Sequence, residues 1–91
     1  MDTPTLRTFI ALAQIKNFTK TAQQLFVAQS TVTNRIRDLE MELGVPLFIR
    51  SHKQVDLTPS GQKFLSYAQR FVSLELAALQ DIQSSPTYTQ K

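Results

Sequence analysis

One face of a predicted helix near the middle of the chain carries side chains that can form hydrogen bonds with the edges of nucleic-acid bases. The helix is indicated by apolar residues at spacings of four, three and four, namely Val32, Ile36, Leu39 and Leu43. At roughly 100° per residue, these four side chains form a single buried stripe. The face away from that stripe, together with the tip of the helix, carries Gln29, Ser30, Thr33, Asn34 and Arg37.

These five polar residues lie in the N-terminal half of the helix, and acidic residues follow only from Asp38 onward. A helix that reads DNA in the major groove contacts base edges mainly with its N-terminal part. Amides suit adenine and guanidinium suits guanine, so Gln29 and Asn34 are predicted to read adenine and Arg37 guanine. The alternative is an ordinary solvated helix face.

A basic β-hairpin is predicted directly after this helix. Two short alternating segments, 49–51 and 55–57, flank a polar turn, with Ile49, Val55 and Leu57 expected to face inward. Beside a recognition helix such a hairpin would act as a wing whose tip contacts phosphates or the minor groove. The predicted contacts with the DNA backbone are Lys20, Thr31, Arg35, Arg50, His52 and Lys53.

Some of these basic residues have a second interpretation. Arg50 could instead form an ion pair with Glu40 or Glu42 that locks the wing to the helix. Arg35 lies about 60° from the apolar stripe, so its stem should follow the core edge to a phosphate or an acidic neighbour. In the turn, His52 and Lys53 could simply be solvated.

The segments before the central helix predict two more helices. The first spans about 4–16, with Thr3 as its N-cap and Pro4 in its first turn. The second runs from Lys20 to Phe26 after a cap at Thr19, and its inner face is predicted to consist of Ala22, Leu25 and Phe26. A short helix joined by a tight turn to the next one is a helix-turn-helix outline. Gly44 is a natural end for the central helix.

A long helix is predicted over residues 59–83, because Thr58 can cap it and apolar residues continue without a breaker. Its stripe is longer than the preceding core could cover, so it is predicted to pair with a second copy of the chain. The dimer contacts would be Phe64, Ala68, Phe71, Val72, Leu76, Leu79 and Ile82. Alternatively the stripe packs on a domain absent from this sequence. Glu75 interrupts the apolar stripe and could face Arg70 or Lys63 across the pair of helices.

The composition of the 91 residues argues against several functional classes. The net charge of +3 fits a polyanionic partner, and without cysteine there are no disulfides or thiolate metal sites. A single histidine offers no metal cluster or nucleophile–base pair, so neither catalysis nor a cofactor is expected in this chain. No apolar run is long enough for a membrane span. A cytoplasmic, nucleoid-associated protein is therefore expected.

The order of elements resembles the N-terminal winged helix-turn-helix of LysR-type transcriptional regulators. The similar segments begin with Leu6 and Phe9 and continue through Phe18-Thr19, Ala22 and Gln29 to Val32-Thr33. They then include Leu39-Glu40, Leu43-Gly44, Leu47-Phe48 with Arg50, and Leu57-Thr58-Pro59-Ser60-Gly61. Where the family has a capping Ser, a Pro, an Ala, a Ser and a common Gln, this chain has Ala28, Ser30, Thr31, Thr33 and Arg35.

The resemblance implies a mainly α protein with three helices, a two-stranded wing and a long trailing linker or dimerisation helix. It divides the chain into a DNA-binding domain at 1–58, a dimerisation helix at 59–83 and a polar tail at 84–91. It also implies bacterial transcription regulation at inverted-repeat operators by dimers or tetramers. A small-molecule inducer would bind only a C-terminal domain absent here. The competing hypothesis is a helix-turn-helix module for protein association, which salt-dependent binding to duplex DNA would distinguish.

Overall fold

The computed structural model describes residues 1–51 and 54–84, so the predicted wing-tip residues His52 and Lys53 and the tail from residue 85 lie outside the described residues. The predicted architecture is confirmed over these described ranges, which contain four helices and one antiparallel strand pair. The elements in chain order are α1 (Thr3–Ile15), α2 (Phe18–Leu25), α3 (Gln29–Leu43), β1 (Phe48–Arg50), β2 (Val55–Leu57) and α4 (Pro59–Gln83).

The core lies between α1, α3 and the first half of α4. Phe9 is fully buried at its centre, and its ring lies 5.4 Å from the ring of Phe48 and 5.2 Å from that of Phe64, measured between centroids. The α3 stripe enters the same core as predicted, because Val32, Ile36 and Leu39 are all buried. One aromatic side chain of α1 thus joins the wing to the long helix.

The first two helices begin at different caps from those predicted. The Asp2 carboxylate accepts the Thr5 N–H at 2.9 Å and caps α1, so the Thr3 hydroxyl is free to serve elsewhere. Hydrogen bonds from the side chain and the backbone N–H of Thr5 hold the pKa of Asp2 below its usual range. In the same way, Asn17 caps α2 by accepting the Lys20 N–H at 2.8 Å, in place of Thr19.

Phe26 was predicted to lie on the inner face of α2, and this was wrong. It ends that helix in the left-handed conformation, with a φ of 58°, and its side chain is 94% exposed. The reversal of the chain at this residue turns its side chain away from the helix face. Val27 follows and packs partly buried against the core instead.

On the second strand of the wing, Val55 and Leu57 pack against the core as predicted, but the inward face of the first strand is one residue out of step with the prediction. Phe48 pairs with Leu57 and Arg50 pairs with Val55 across the two strands. Because side chains alternate along a strand, the buried Phe48 sends Ile49 to the opposite face, where it is 53% exposed. The expectation that Ile49 faces inward was therefore wrong, and Phe48 takes its place.

The start of α4 is held closely against the connector between α3 and the wing. Thr58 caps the helix by accepting the Gly61 N–H at 2.9 Å and donates its own hydroxyl to the Pro46 carbonyl at 2.8 Å. A Cβ at Gly61 would lie 2.1 Å from the Leu47 carbonyl oxygen. Glycine is thus required here by close approach.

Candidate nucleic-acid interface

The predicted base-reading residues lie together on the first three turns of α3. Gln29, Ser30, Asn34 and Arg37 are exposed, and Thr33 is half-buried at the flank. Ala28 provides the N-cap position without a side-chain hydrogen bond, as expected from the loss of a capping hydroxyl. The helix therefore presents a continuous polar surface whose back is fixed by the buried stripe.

Two internal hydrogen bonds orient amide groups on this surface. The Thr19 hydroxyl donates to Oε1 of Gln29 at 3.0 Å, which links the first turn of α2 to the first turn of α3. Nη2 of Arg37 donates to Oδ1 of Asn34 one turn earlier on the same helix. Each amide therefore uses its carbonyl oxygen within the protein and retains its amino group as a donor.

The predicted backbone contacts on the helices have different surroundings. Lys20 is exposed on α2, next to Thr19, and Thr31 is half-buried on α3. Arg35 follows the core edge as predicted, but its described hydrogen-bond partner is neither a phosphate nor a carboxylate. Its Nη1 donates to the hydroxyl of the buried Thr8 at 3.1 Å, because α1 packs beside this edge of α3.

Arg50 reaches from the wing back to α3 and α2. It lies on the same face of β1 as the buried Phe48, and its Nη2 is 3.8 Å from Oε1 of Glu40. Its guanidinium carbon also lies 5.0 Å from the ring centroid of Phe18. Of the two interpretations of Arg50, this geometry favours the ion pair that locks the wing to the helix.

The predicted dimer residues on α4 divide into two groups. Ala68 is fully buried within this chain, and Phe64 and Val72 pack partly buried against its core. Because α1 covers this side of α4, all three side chains stabilise the chain itself, and Ala68, which is fully buried, has no exposed surface left for a dimer contact. The exposed members are Phe71, Leu76, Leu79 and Ile82.

The polar neighbours on α4 also differ from the expectation. Glu75 accepts a hydrogen bond of 2.7 Å from the Thr3 hydroxyl at the start of α1, and so has a partner within its own chain. The guanidinium carbon of Arg70 lies 4.8 Å from the ring centroid of Tyr67. Tyr67 and Leu74 are exposed beside Phe71 and extend the apolar surface, although the sequence reasoning did not include them.

Sequence reasoning also missed the role of Thr19, which it treated only as a helix cap. The signal was weak, because a threonine three positions before an apolar residue fits many helix starts. Within residues 1–51 and 54–84, no three His, Cys, Asp or Glu side chains come together as metal ligands. Nor does any described helix combine the length and hydropathy required to cross a bilayer.

Comparison with known proteins agrees with this arrangement. Residues 4–62 match the family described as bacterial regulatory helix-turn-helix protein, lysR family. The regulator HdfR from Yersinia enterocolitica is 37% identical over 90 residues, covering 99% of this chain and 31% of the relative. HdfR from Escherichia coli has the same identity, with 32% of its length covered. This chain thus spans about a third of the length of these relatives.

Solved structures show the same fold. The BenM DNA-binding domain in complex with benA site 1 DNA has a TM-score of 0.86 at 34% identity, over 91% of this chain and 96% of that one. The CbnR DNA-binding domain in complex with DNA has a TM-score of 0.80 at 39% identity, over 92% and 94%. A full-length OxyR variant from Pseudomonas aeruginosa reaches 0.88 at 32% identity, over 96% and 30%. The family match, these relatives and the shared winged helix-turn-helix together establish that this chain belongs to the LysR family of bacterial regulatory helix-turn-helix proteins.

Proposed function

We propose that this chain is the DNA-binding part of a transcriptional regulator and that α3 reads base edges in the major groove. The observation that carries the proposal is the polar first half of α3, where Gln29, Ser30, Asn34 and Arg37 are exposed on a helix whose opposite face is fixed in the core. The CbnR and BenM DNA-binding domains, solved in complex with DNA, have the same fold. Thr33 flanks the reading surface.

The residues around α3 would position it on the duplex. Lys20 is exposed on α2 directly after Thr19, beside the Thr19–Gln29 contact, so it would lie near the backbone of a bound duplex. Thr31 is a second candidate for a phosphate contact. His52 and Lys53 are assigned to the wing tip from the sequence alone. Arg35 and Arg50 contribute through the packing of α3 against α1 and the wing.

The second half of α4 would pair with the α4 of another copy. Phe71, Leu74, Leu79 and Ile82 are each at least half exposed, and α4 continues to Gln83, beyond the contact of Glu75 with the start of α1. Burying a large apolar side chain stabilises an interface by about 1.5–3 kcal/mol. A two-fold pair would direct two copies of α3 at half-sites about 34 Å apart, or a multiple of that distance, on an inverted repeat.

In the longer protein, a C-terminal domain would bind the small-molecule inducer and set the final assembly, so no cofactor is proposed for this chain. Catalysis is likewise not part of the proposal, since the family is one of regulators. A cytoplasmic, nucleoid-associated location follows from the proposed target.

Binding to duplex DNA at several salt concentrations tests this function. The chain should select one sequence from a random pool, and its affinity for any duplex should fall steeply with salt as counterions are released. A module for protein association should show neither sequence selection nor a salt-dependent affinity for DNA.

A further inference from the structure

Thr19 lies outside the recognition helix, yet it determines which atoms Gln29 presents to a base. Its hydroxyl donates to Oε1 of Gln29 at 3.0 Å across the turn between α2 and α3. In a planar primary amide the oxygen and the nitrogen diverge from the carbon that joins them, and they exchange places only by a half-turn of the group. An oxygen directed at Thr19 therefore leaves the amino group of Gln29 on the other branch of the amide as a pair of hydrogen-bond donors.

A second amide on the same surface is arranged alike. Oδ1 of Asn34 accepts from Nη2 of Arg37, so the amino group of Asn34 is also left as a donor, and the guanidinium itself offers donors alone. Gln29, Asn34 and Arg37 are all exposed on α3. The nitrogen-bearing side chains of this surface thus share one hydrogen-bonding polarity.

The polarity of a side chain decides which base edge it fits. In the major groove guanine offers two adjacent acceptors, O6 and N7, whereas adenine offers N7 as an acceptor beside its N6 amino donor. A glutamine reads adenine by accepting from N6 while donating to N7, and this requires the amide oxygen to face the base. With its oxygen turned towards Thr19, Gln29 presents its amino group, which can donate to both acceptors of guanine but meets the adenine amino group with a second donor.

We propose that Thr19 is a specificity-determining positioning residue that makes Gln29 read guanine. The proposal rests on the proposed function, and it replaces the sequence-based expectation that Gln29 reads adenine. Thr19 does not have to touch the base, because it acts by fixing the orientation of the amide. The neighbouring cap of α2 is supplied by Asn17, so the hydroxyl of Thr19 is not required to start that helix.

The experiment is selection of bound duplexes from a random pool by four proteins: the unmodified chain, Gln29→Ala, Thr19→Val and Thr19→Ser. Gln29→Ala identifies the base pair read by Gln29, because selectivity there should relax. At that pair the unmodified chain should select G·C. Thr19→Val keeps the side-chain shape but frees the amide oxygen, so its preference should move towards A·T, by about fivefold to a hundredfold in relative affinity.

Thr19→Ser is the matched control, because it retains the donor hydroxyl and should select the same pair as the unmodified chain. Replacing the selected guanine by 7-deazaguanine removes one acceptor, and should weaken binding of the unmodified chain but not of Gln29→Ala. Helix content and thermal unfolding of the variants should match those of the unmodified chain.

Several results would overturn the proposal. They are selection of A·T at the mapped pair by the unmodified chain, an unchanged motif with Thr19→Val, and no relaxed position with Gln29→Ala. In each case the proposed function survives, since sequence-selective binding is still observed. Failure of the unmodified chain to select any sequence would contradict the proposed function itself, and this inference with it.

Discussion

Oε2 of Glu40 on α3 accepts a hydrogen bond of 2.7 Å from the backbone N–H of Leu47, three residues beyond the glycine that ends the helix. The same oxygen accepts the Phe48 N–H at 3.2 Å, and the other carboxylate oxygen faces Arg50. One half-buried carboxylate of the recognition helix therefore fixes both the connector and the first strand of the wing.

Glu40→Ala should lower the free energy of unfolding by about 2–3 kcal/mol, because two backbone donors lose a charged acceptor. Glu40→Gln retains an acceptor oxygen and should cost less. Chemical denaturation measures both, and Asp38→Ala is the control, as an exposed carboxylate on the same helix. Equal effects of Glu40→Ala and Asp38→Ala on the free energy of unfolding would show that the hydrogen bonds to Glu40 contribute nothing to stability.

Gln29→Ala should weaken binding to the selected operator by about 1–3 kcal/mol and leave binding to random duplex nearly unchanged. The physical reason is the loss of a base contact without loss of a phosphate contact. Titrations of both duplexes under one salt condition measure the difference. Equal losses on the two duplexes would contradict a base-reading role for this residue.

Lys53→Ala should reduce affinity for all duplexes and lower the slope of log K against log salt by about one, because one phosphate contact is lost. His52→Ala should have a smaller effect. Arg50→Ala is the comparison, since its contacts with Glu40 and Phe18 predict reduced stability with an unchanged slope. A slope that Lys53→Ala leaves unaltered would place the wing tip in solvent.

Phe71→Asp combined with Leu79→Asp should convert a dimer into a folded monomer that binds a single half-site weakly. Both side chains are about half exposed in the single chain, so the charges should disturb the pair and not the fold. Sedimentation at high micromolar concentration measures the state. The control places Asp at Gln69 and Ser73, exposed polar positions of α4. A monomeric unmodified chain, both free and on DNA with two half-sites, would refute the pairing.

Gly61→Ala should destabilise the fold by about 1–3 kcal/mol, although alanine is the better helix former, because the added methyl group would overlap the Leu47 carbonyl. Gly44→Ala should cost about 1–2 kcal/mol for a different reason: its φ is +76° while no atom lies within 4 Å of the added carbon. Thermal unfolding compares the two. A stabilised Gly61→Ala variant would contradict the close approach.

The sequence alone determined the features that depend on residues within about one helical turn. The apolar spacing of Val32, Ile36 and Leu39 predicted both the α3 helix and its buried face, and the Thr58-Pro59 start predicted α4 as observed. The caps were not determined in this way, because Asp2 and Thr3 are adjacent, Asn17 and Thr19 are two residues apart, and all three residue types are favoured N-caps. In the folded chain Asp2 and Asn17 accept the capping N–H groups, whereas the Thr3 and Thr19 hydroxyls donate to Glu75 and Gln29.

Only the tertiary structure decided the contacts between residues far apart in the chain. The Thr19–Gln29, Thr8–Arg35 and Thr3–Glu75 hydrogen bonds join positions 10, 27 and 72 residues apart. Each exists because packing of α1 and its neighbours brings two helices together. The spacing of apolar residues along one helix does not indicate which residues of another helix will lie beside it. The division of α4 into a face that belongs to this core and a face left exposed was decided in the same way, by which part of α4 lies against α1.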